Sequence, residues 1–156
     1  MGMNDLLKAF QLIDENKDFM SGPKSEELIQ KAEQALDLNF PPTYRTFLKK
    51  YGCGGIGGFE IYGITRDFDY ASIPNGIWLT LDERKDDYLP KHFIIVSDTG
   101  DGYWYCLDAS QVNASGEYPV VIWGLGIPEK NKEKVAEDFG EFLFEEVQQA
   151  LSADED

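Results

Sequence analysis

The sequence is poor in cations and in histidine, and both shortages exclude classes of function. It has 14 Lys and Arg against 29 Asp and Glu, which gives a formal net charge of -15. Because a surface of that charge repels a phosphate backbone, direct binding of nucleic acid is disfavoured. The one histidine, His92, cannot form a His-His-carboxylate zinc site within one chain. We therefore expect no metal, no cofactor and no nucleic-acid partner.

Long apolar runs and cysteine-rich patterns are also missing. No run reaches the roughly 20 apolar residues that span a bilayer. Residues 1–17 lack the basic region and the small-residue cleavage site of a secretory signal. We expect a cytoplasmic protein without membrane contact. Cys53 lies in a glycine-rich stretch and Cys106 in an apolar run, so reduced buried thiols are favoured over a disulfide.

Hydrophobic residues are numerous enough for a folded core, since they make up 42% of the 156 residues. We predict a single domain over residues 1–156, with its core from about residue 25 to residue 151 and an acidic tail at 152–156. The charge is uneven, because residues 92–156 hold 14 acids and three lysines, net -11. This excess favours either a face for a cationic partner or a solvated surface that keeps the protein soluble.

Four segments have the spacing of amphipathic helices. The first ends near Asn16, the second follows an N-cap at Ser25, and the third follows Pro41-Pro42 and stops at Gly52. In the long C-terminal helix, acids including Glu146 are placed away from the apolar face, and Glu141 is expected to face water. That apolar face consists of Val135, Phe139, Phe142, Leu143, Val147 and Leu151.

Between these helices the pattern changes to that of strands. Short runs rich in Ile, Val and aromatic residues predict strands at residues 59–64, 77–81, 93–96, 103–107 and 120–123. The turn at residues 98–102 is too short for a parallel crossover, so the two strands that it joins must be antiparallel. The predicted fold is α+β, with a largely antiparallel sheet packed against the N-terminal helices and the long C-terminal helix.

Motifs that would carry catalysis are incomplete. Residues 52–57 match G-x-G-x-x-G, but a dinucleotide site needs a strand before the loop, and here a helix precedes it. The aspartates of residues 98–108 lack the spacing and the final Glu of a calcium loop. A nucleophilic thiol would need either cysteine beside the histidine, an arrangement that stays open but has no recognisable signature. We therefore expect a protein that is not an enzyme.

An acid near the middle of the second helix is followed by L-x-F-P-x-x-Y-x-x-F-L and a glycine-rich stretch, and D-F-G-E-F-L stands at residues 138–143. In this order of motifs the chain resembles the SUKH superfamily over residues 25–145. That superfamily includes the Smi/Knr-like domain of a yeast cell-wall regulator and many bacterial proteins. The resemblance implies an α+β fold and mainly structural roles for the matching residues. These are Glu33, Pro41, Pro42, Tyr44, Phe47, Leu48, Gly52, Gly54 and Gly55.

In bacteria the resemblance also implies an immunity protein that binds and neutralises a toxin domain, commonly a nuclease. The main alternative is a regulatory interaction domain in an endogenous complex, and an enzyme for a small ligand comes third. The tryptophans are either anchors of the contact or core of the sheet. The residues predicted to bind the partner are Asp98, Asp101, Asp108, Glu141, Trp78, Trp104 and Trp123.

Overall fold

A computed structural model describes residues 2–16, 18–67, 71, 75–85, 88–124 and 126–154. Its helices are α1 (Gly2–Asn16), α2 (Glu26–Leu36), α3 (Pro42–Lys50), α4 (Gly76–Arg84) and α5 (Phe139–Asp154). Its strands are β1 (Gly54–Ile56), β2 (Phe59–Ile61), β3 (Phe93–Asp98), β4 (Trp104–Asp108), β5 (Val120–Trp123) and β6 (Glu133–Ala136). This combination of helices and antiparallel strands confirms the predicted α+β fold.

The N-terminal helices begin and end where the local signals predict. α1 ends at Asn16, and the Ser25 side chain accepts a hydrogen bond from the Leu28 N–H at 3.1 Å to cap α2. Pro42 stands in the first turn of α3. Backbone N–H groups in that turn have no acceptor within the helix, so the N–H that proline lacks costs no hydrogen bond. Gly52 follows that helix with a φ of 74°, and a Cβ there would approach a backbone carbonyl oxygen within 2.8 Å.

The main sheet contains β3, β4, β5 and β6 in that order, and all neighbours are antiparallel. Alternate side chains of β3 enter different cores, as the period of a strand requires. Ile94 and Val96 join a larger core with α1, α3 and α5, whereas Phe93 and Ile95 join a smaller core with α4. The sheet is therefore covered on both faces, and β1 and β2 form a separate hairpin.

Three predictions of strands and helix limits are wrong. Residues 77–81 belong to α4, because the Asn75 side chain accepts hydrogen bonds from two N–H groups in the first turn of that helix. A short apolar run does not distinguish a buried strand from a buried helix. β2 has three residues instead of the predicted six. Val135 lies in β6, so the C-terminal helix starts at Phe139.

The glycine-rich stretch and the C-terminal tail also differ from expectation. Gly54 and Gly55 form part of β1, so only Gly52 and Cys53 before this strand and the turn after it are loop. α5 continues through residues 152–154 of the predicted tail, whereas residues 155–156 lie outside the described residues. Within the described ranges, no helix has the length and apolar character needed to cross a membrane.

Candidate functional site

An open cleft of about 450 Å³ lies beside the edge of β3, next to β2. The Tyr62 N–H donates to the Val96 carbonyl at 2.8 Å, and the Ser97 hydroxyl donates to the Glu60 carbonyl at 2.7 Å. These bonds hold the two segments together at one end of the cleft. The β1–β2 turn, the β3–β4 turn and α5 complete its lining. We name it the acidic cleft, after the carboxylates that line it: Glu60, Asp98 and Glu146.

The carboxylates of the acidic cleft have no neutralising partners in the described part of the chain. No Lys, Arg or His lines the cleft, and none of the described ion pairs includes its three acids. Glu60 and Asp98 are exposed, whereas Glu146 is half-buried. Burial, and then the charge of Glu145, raises the pKa of Glu146 above its ordinary value. The cleft therefore has a negative potential that a bound cation would relieve.

Two aromatic rings stand beside these carboxylates. Phe59 and Tyr105 both pack on Phe142 of α5, with ring centroids 5.9 and 4.9 Å apart respectively. Glu146 follows Phe142 by four residues, so both lie on the same face of the helix. Burial, and then the charges of Glu146 and Asp101, raises the pKa of Tyr105. α5 thus positions one carboxylate next to both rings.

Tyr62 adds a mostly buried tyrosine side chain to the lining of the cleft. Its side chain is 4% exposed, and its backbone carbonyl accepts a hydrogen bond from the Tyr44 hydroxyl at 2.8 Å. Burial, and then the charges of Asp98 and Glu60, raises the pKa of Tyr62 to about 12. Its hydroxyl has no hydrogen-bond partner among the described residues.

The β3–β4 turn presents Asp98 and Asp101, two of the residues predicted to bind the partner. The Asp98 carboxylate accepts a hydrogen bond from the Gly100 N–H at 2.5 Å, and the Asp101 carboxylate accepts one from the Thr99 hydroxyl. Both aspartates are exposed, and Asp98 lines the cleft. Local hydrogen bonds therefore fix two carboxylates at the edge of the cleft.

Asp108 does not belong to this surface, and the prediction that it contacts a partner is corrected. Its side chain is fully buried and accepts hydrogen bonds from Lys132, Ser110 and Gln111. Burial opposes ionisation, but the bonds from Lys132 and Ser110 outweigh it and hold the pKa of Asp108 below its ordinary value. Asp108 therefore joins the segment before β6 to the end of β4.

Glu141 lies in a separate hollow of about 430 Å³, which it shares with Glu117, Glu137 and Asp138. It is half-buried, so it faces water only in part. Two neighbouring acids have structural partners in this hollow. Glu117 accepts hydrogen bonds from the Thr43 N–H and hydroxyl at 3.0 and 2.8 Å, and Asp138 accepts one from the Glu141 N–H at 2.8 Å. These acids stabilise the N-termini of α3 and α5.

The three tryptophans meet in the smaller core, on the face of the sheet that α4 covers. Trp123 is 8% exposed, and its Nε1 has no acceptor among the described residues. Trp78 and Trp104 are half-buried against this core. Trp104 is paired across the strands with Asp98, at the start of the β3–β4 turn. Because Asp98 lines the cleft, Trp104 is the tryptophan whose strand partner belongs to the cleft.

The residues of the recognised motif are used inside the fold. Glu33 accepts a hydrogen bond from the Phe40 N–H at 2.7 Å and pairs with Arg45 at 2.7 Å, which joins α2 to α3. Pro41 is the N-cap residue of α3. Tyr44, Phe47 and Leu48 of that helix are fully buried. These contacts explain the motif without reference to a ligand.

Groups suited to catalysis are kept apart or buried in the described part of the chain. Cys53 and Cys106 are free and buried, and burial raises the pKa of each thiol. The His92 ring contacts Glu129 and Phe93 rather than a cysteine. The described residues also include no group of three or more His, Cys, Asp and Glu side chains that could hold a metal ion.

Sequence reasoning identified Asp98 but missed the other residues of the cleft: Glu60, Tyr62, Tyr105 and Glu146. Three segments far apart in the chain form this site, and only tertiary packing brings them together. One local signal was present. Glu146 stands four residues after Phe142, within the apolar stripe of α5, where an acid is unusual.

A family model named SUKH_5 and described as SMI1-KNR4 cell-wall matches residues 3–148. The match confirms the resemblance predicted from the motifs and extends it beyond residues 25–145. It includes all three segments that line the acidic cleft.

Proposed function

We propose, from the premise that the chain belongs to the SUKH_5 (SMI1-KNR4) family, that it is a non-catalytic immunity protein of the bacterial cytoplasm. It binds a cognate toxin domain, a cationic nuclease, and blocks its activity. The observation that carries this proposal is the set of unpaired carboxylates in the acidic cleft and the adjoining turn: Glu60, Asp98, Asp101 and Glu146.

Electrostatics provides the mechanism. A nuclease must attract a phosphate backbone, so the entrance to its active site carries positive charge. A partner with a net charge of -15 is attracted toward that entrance. Complementary charge of this kind mainly accelerates association, whereas packed side chains limit dissociation. Among the predicted aromatic contacts, the half-buried Trp104 is placed to contribute beside Asp98.

The second candidate is a regulatory protein-binding domain in an endogenous complex. The description of the matching family, SMI1-KNR4 cell-wall, favours it, since that description concerns cell-wall biology. The same acidic cleft would then bind a basic segment of a cellular partner. The two candidates differ in the identity of the partner and in the effect of deleting the gene.

Growth protection tests the proposed function. The toxin domain encoded beside this gene is expressed in cells with wild-type protein, with the Asp98→Lys/Asp101→Lys variant, or with Glu27→Lys as control. Glu27 is exposed on α2, and its one ion-pair partner among the described residues is Lys31 of the same helix. We expect growth with wild type and control, and loss of growth with the double variant. No protection by wild type, together with a growth defect after deletion of the gene alone, would favour the regulatory candidate.

A further inference from the structure

The acidic cleft has features that a general acidic surface lacks. It combines three carboxylates without ion-pair partners, two anchored aromatic rings and the hydroxyl of Tyr62, which has no hydrogen-bond partner among the described residues. We propose that the acidic cleft receives one arginine side chain of the protein partner. This inference rests on the proposed function, because it names the group of the partner that the cleft binds.

The positions of the carboxylates favour a cation with several hydrogen-bond donors. Glu60, Asp98 and Glu146 stand on three different segments around the cleft, so they approach a ligand from different sides. A guanidinium group has five N–H donors in one plane and pairs with carboxylates through two parallel hydrogen bonds. An ammonium group is a more strongly hydrated point charge with three donors. The arrangement therefore favours arginine over lysine.

The aromatic rings suit the flat face of the same group. Phe59 and Tyr105 are half-buried, and their contacts with Phe142 fix them beside Glu146. A guanidinium plane stacks on such rings and gains from the negative charge on their faces. The aliphatic part of an arginine side chain also buries apolar surface against them.

The hydroxyl of Tyr62 supports the assignment independently of the carboxylate charges. Its side chain is 96% removed from solvent, and among the described residues it lacks a hydrogen-bond partner. The hydroxyl is therefore free to bond to a ligand that enters the cleft. A guanidinium N–H in the cleft supplies the missing donor, since the hydroxyl oxygen accepts while Glu60 and Asp98 accept the remaining N–H groups.

The lining leaves the entrance open. A Cβ built on Gly58, Gly100 or Gly102 would meet no atom within 4 Å, so these backbone segments face free space. A side chain on the surface of another protein can enter from this direction. A free arginine would bring its own carboxylate into the negative potential of the cleft and lose affinity.

The test is a titration of the ¹⁵N-labelled protein, at low ionic strength, with the peptide acetyl-Gly-Arg-Gly-amide, observed by NMR. We expect a Kd on the order of 1 mM and shifts concentrated at residues 58–62 and 97–105. The same peptide with citrulline, which is neutral and of similar shape, and free arginine should both bind at least about fivefold more weakly. Equal binding of citrulline, shifts spread over the acidic surface, or no shifts at all would overturn the assignment. Tighter binding of free arginine would assign the cleft to a free amino acid instead.

Variants of the cleft complete the test. Glu146→Gln should weaken the arginine peptide about five- to tenfold, and Tyr62→Phe about threefold. Glu145→Gln removes an equal charge from the same helix turn at an exposed position, so it should change Kd by less than about twofold. Equal effects of Glu146→Gln and Glu145→Gln would refute the cleft as the binding site. If the peptide fails to bind while the toxin domain still associates in a salt-dependent way, the cleft assignment falls and the proposed function stands.

Discussion

Replacing Phe47 with Ala tests the packing of α3 in the larger core. Phe47 is fully buried, and its ring centroid lies 5.5 Å from Phe139, 5.9 Å from Tyr51 and 6.3 Å from Tyr44. Truncation of a buried Phe removes these contacts and leaves a cavity, so it costs about 3 to 5 kcal/mol of unfolding free energy. A chain of this size loses about 2 to 4 °C of Tm per kcal/mol, which predicts a decrease of about 6 to 20 °C.

The matched control is Phe19→Ala, the same truncation at a side chain that is 64% exposed. Chemical and thermal denaturation, followed by circular dichroism, compare both variants with wild type. The control should change the unfolding free energy by less than about 0.5 kcal/mol. Equal stability of the two variants would show that the buried face of α3 is assigned wrongly.

The remaining predictions concern charged groups. Burial raises the folded-state pKa of Glu146, so its contribution to stability is present below pH 4.5 and is lost as the pH rises through the raised pKa. Glu146→Gln should therefore be more stable than wild type at neutral pH, and the difference should be absent below pH 4.5. Urea denaturation at a series of pH values measures both stabilities. Asp108→Ala removes the nearer carboxylate partner of the half-buried Lys132 and leaves it only Glu129 at 4.0 Å, and we expect a loss of about 3 to 5 kcal/mol in the same assay. A loss below about 1 kcal/mol would show that this pair does not hold β4 to the segment before β6.

The elements with strong local signals could be predicted from the sequence. The cap at Ser25 and Pro42 in the first turn of α3 set the helix limits, and these signals act within one turn of the chain. β5 has its predicted limits, since its Ile and Val residues are flanked by Pro and Gly. The turn after Asp98 also joins antiparallel strands as expected.

The elements without such local signals could not be predicted from the sequence. Residues 133–136 form the edge strand β6 although half of them are charged, because pairing with β5 overrides their weak strand propensity. Residues 77–81 are helical since Asn75 caps them, and Asn is also common in turns. The acidic cleft depends on the meeting of β2, the β3–β4 turn and α5, which no local pattern specifies. The buried state of Asp108 depends likewise on Lys132, 24 residues away.

The central claim is that the acidic cleft and the adjoining turn bind a cationic protein partner. Its most direct test is the association rate of the purified toxin domain with wild type, Asp98→Lys/Asp101→Lys and the Glu27→Lys control, measured by stopped flow over a range of salt concentrations. We expect the double variant to associate at least about tenfold more slowly at low salt, with a flatter salt dependence, while the control stays within about twofold of wild type. Circular dichroism checks that each variant is folded. Association that is insensitive to salt, or slowed equally by the control substitution, would contradict binding through the acidic cleft and leave the negative charge as a feature of solubility.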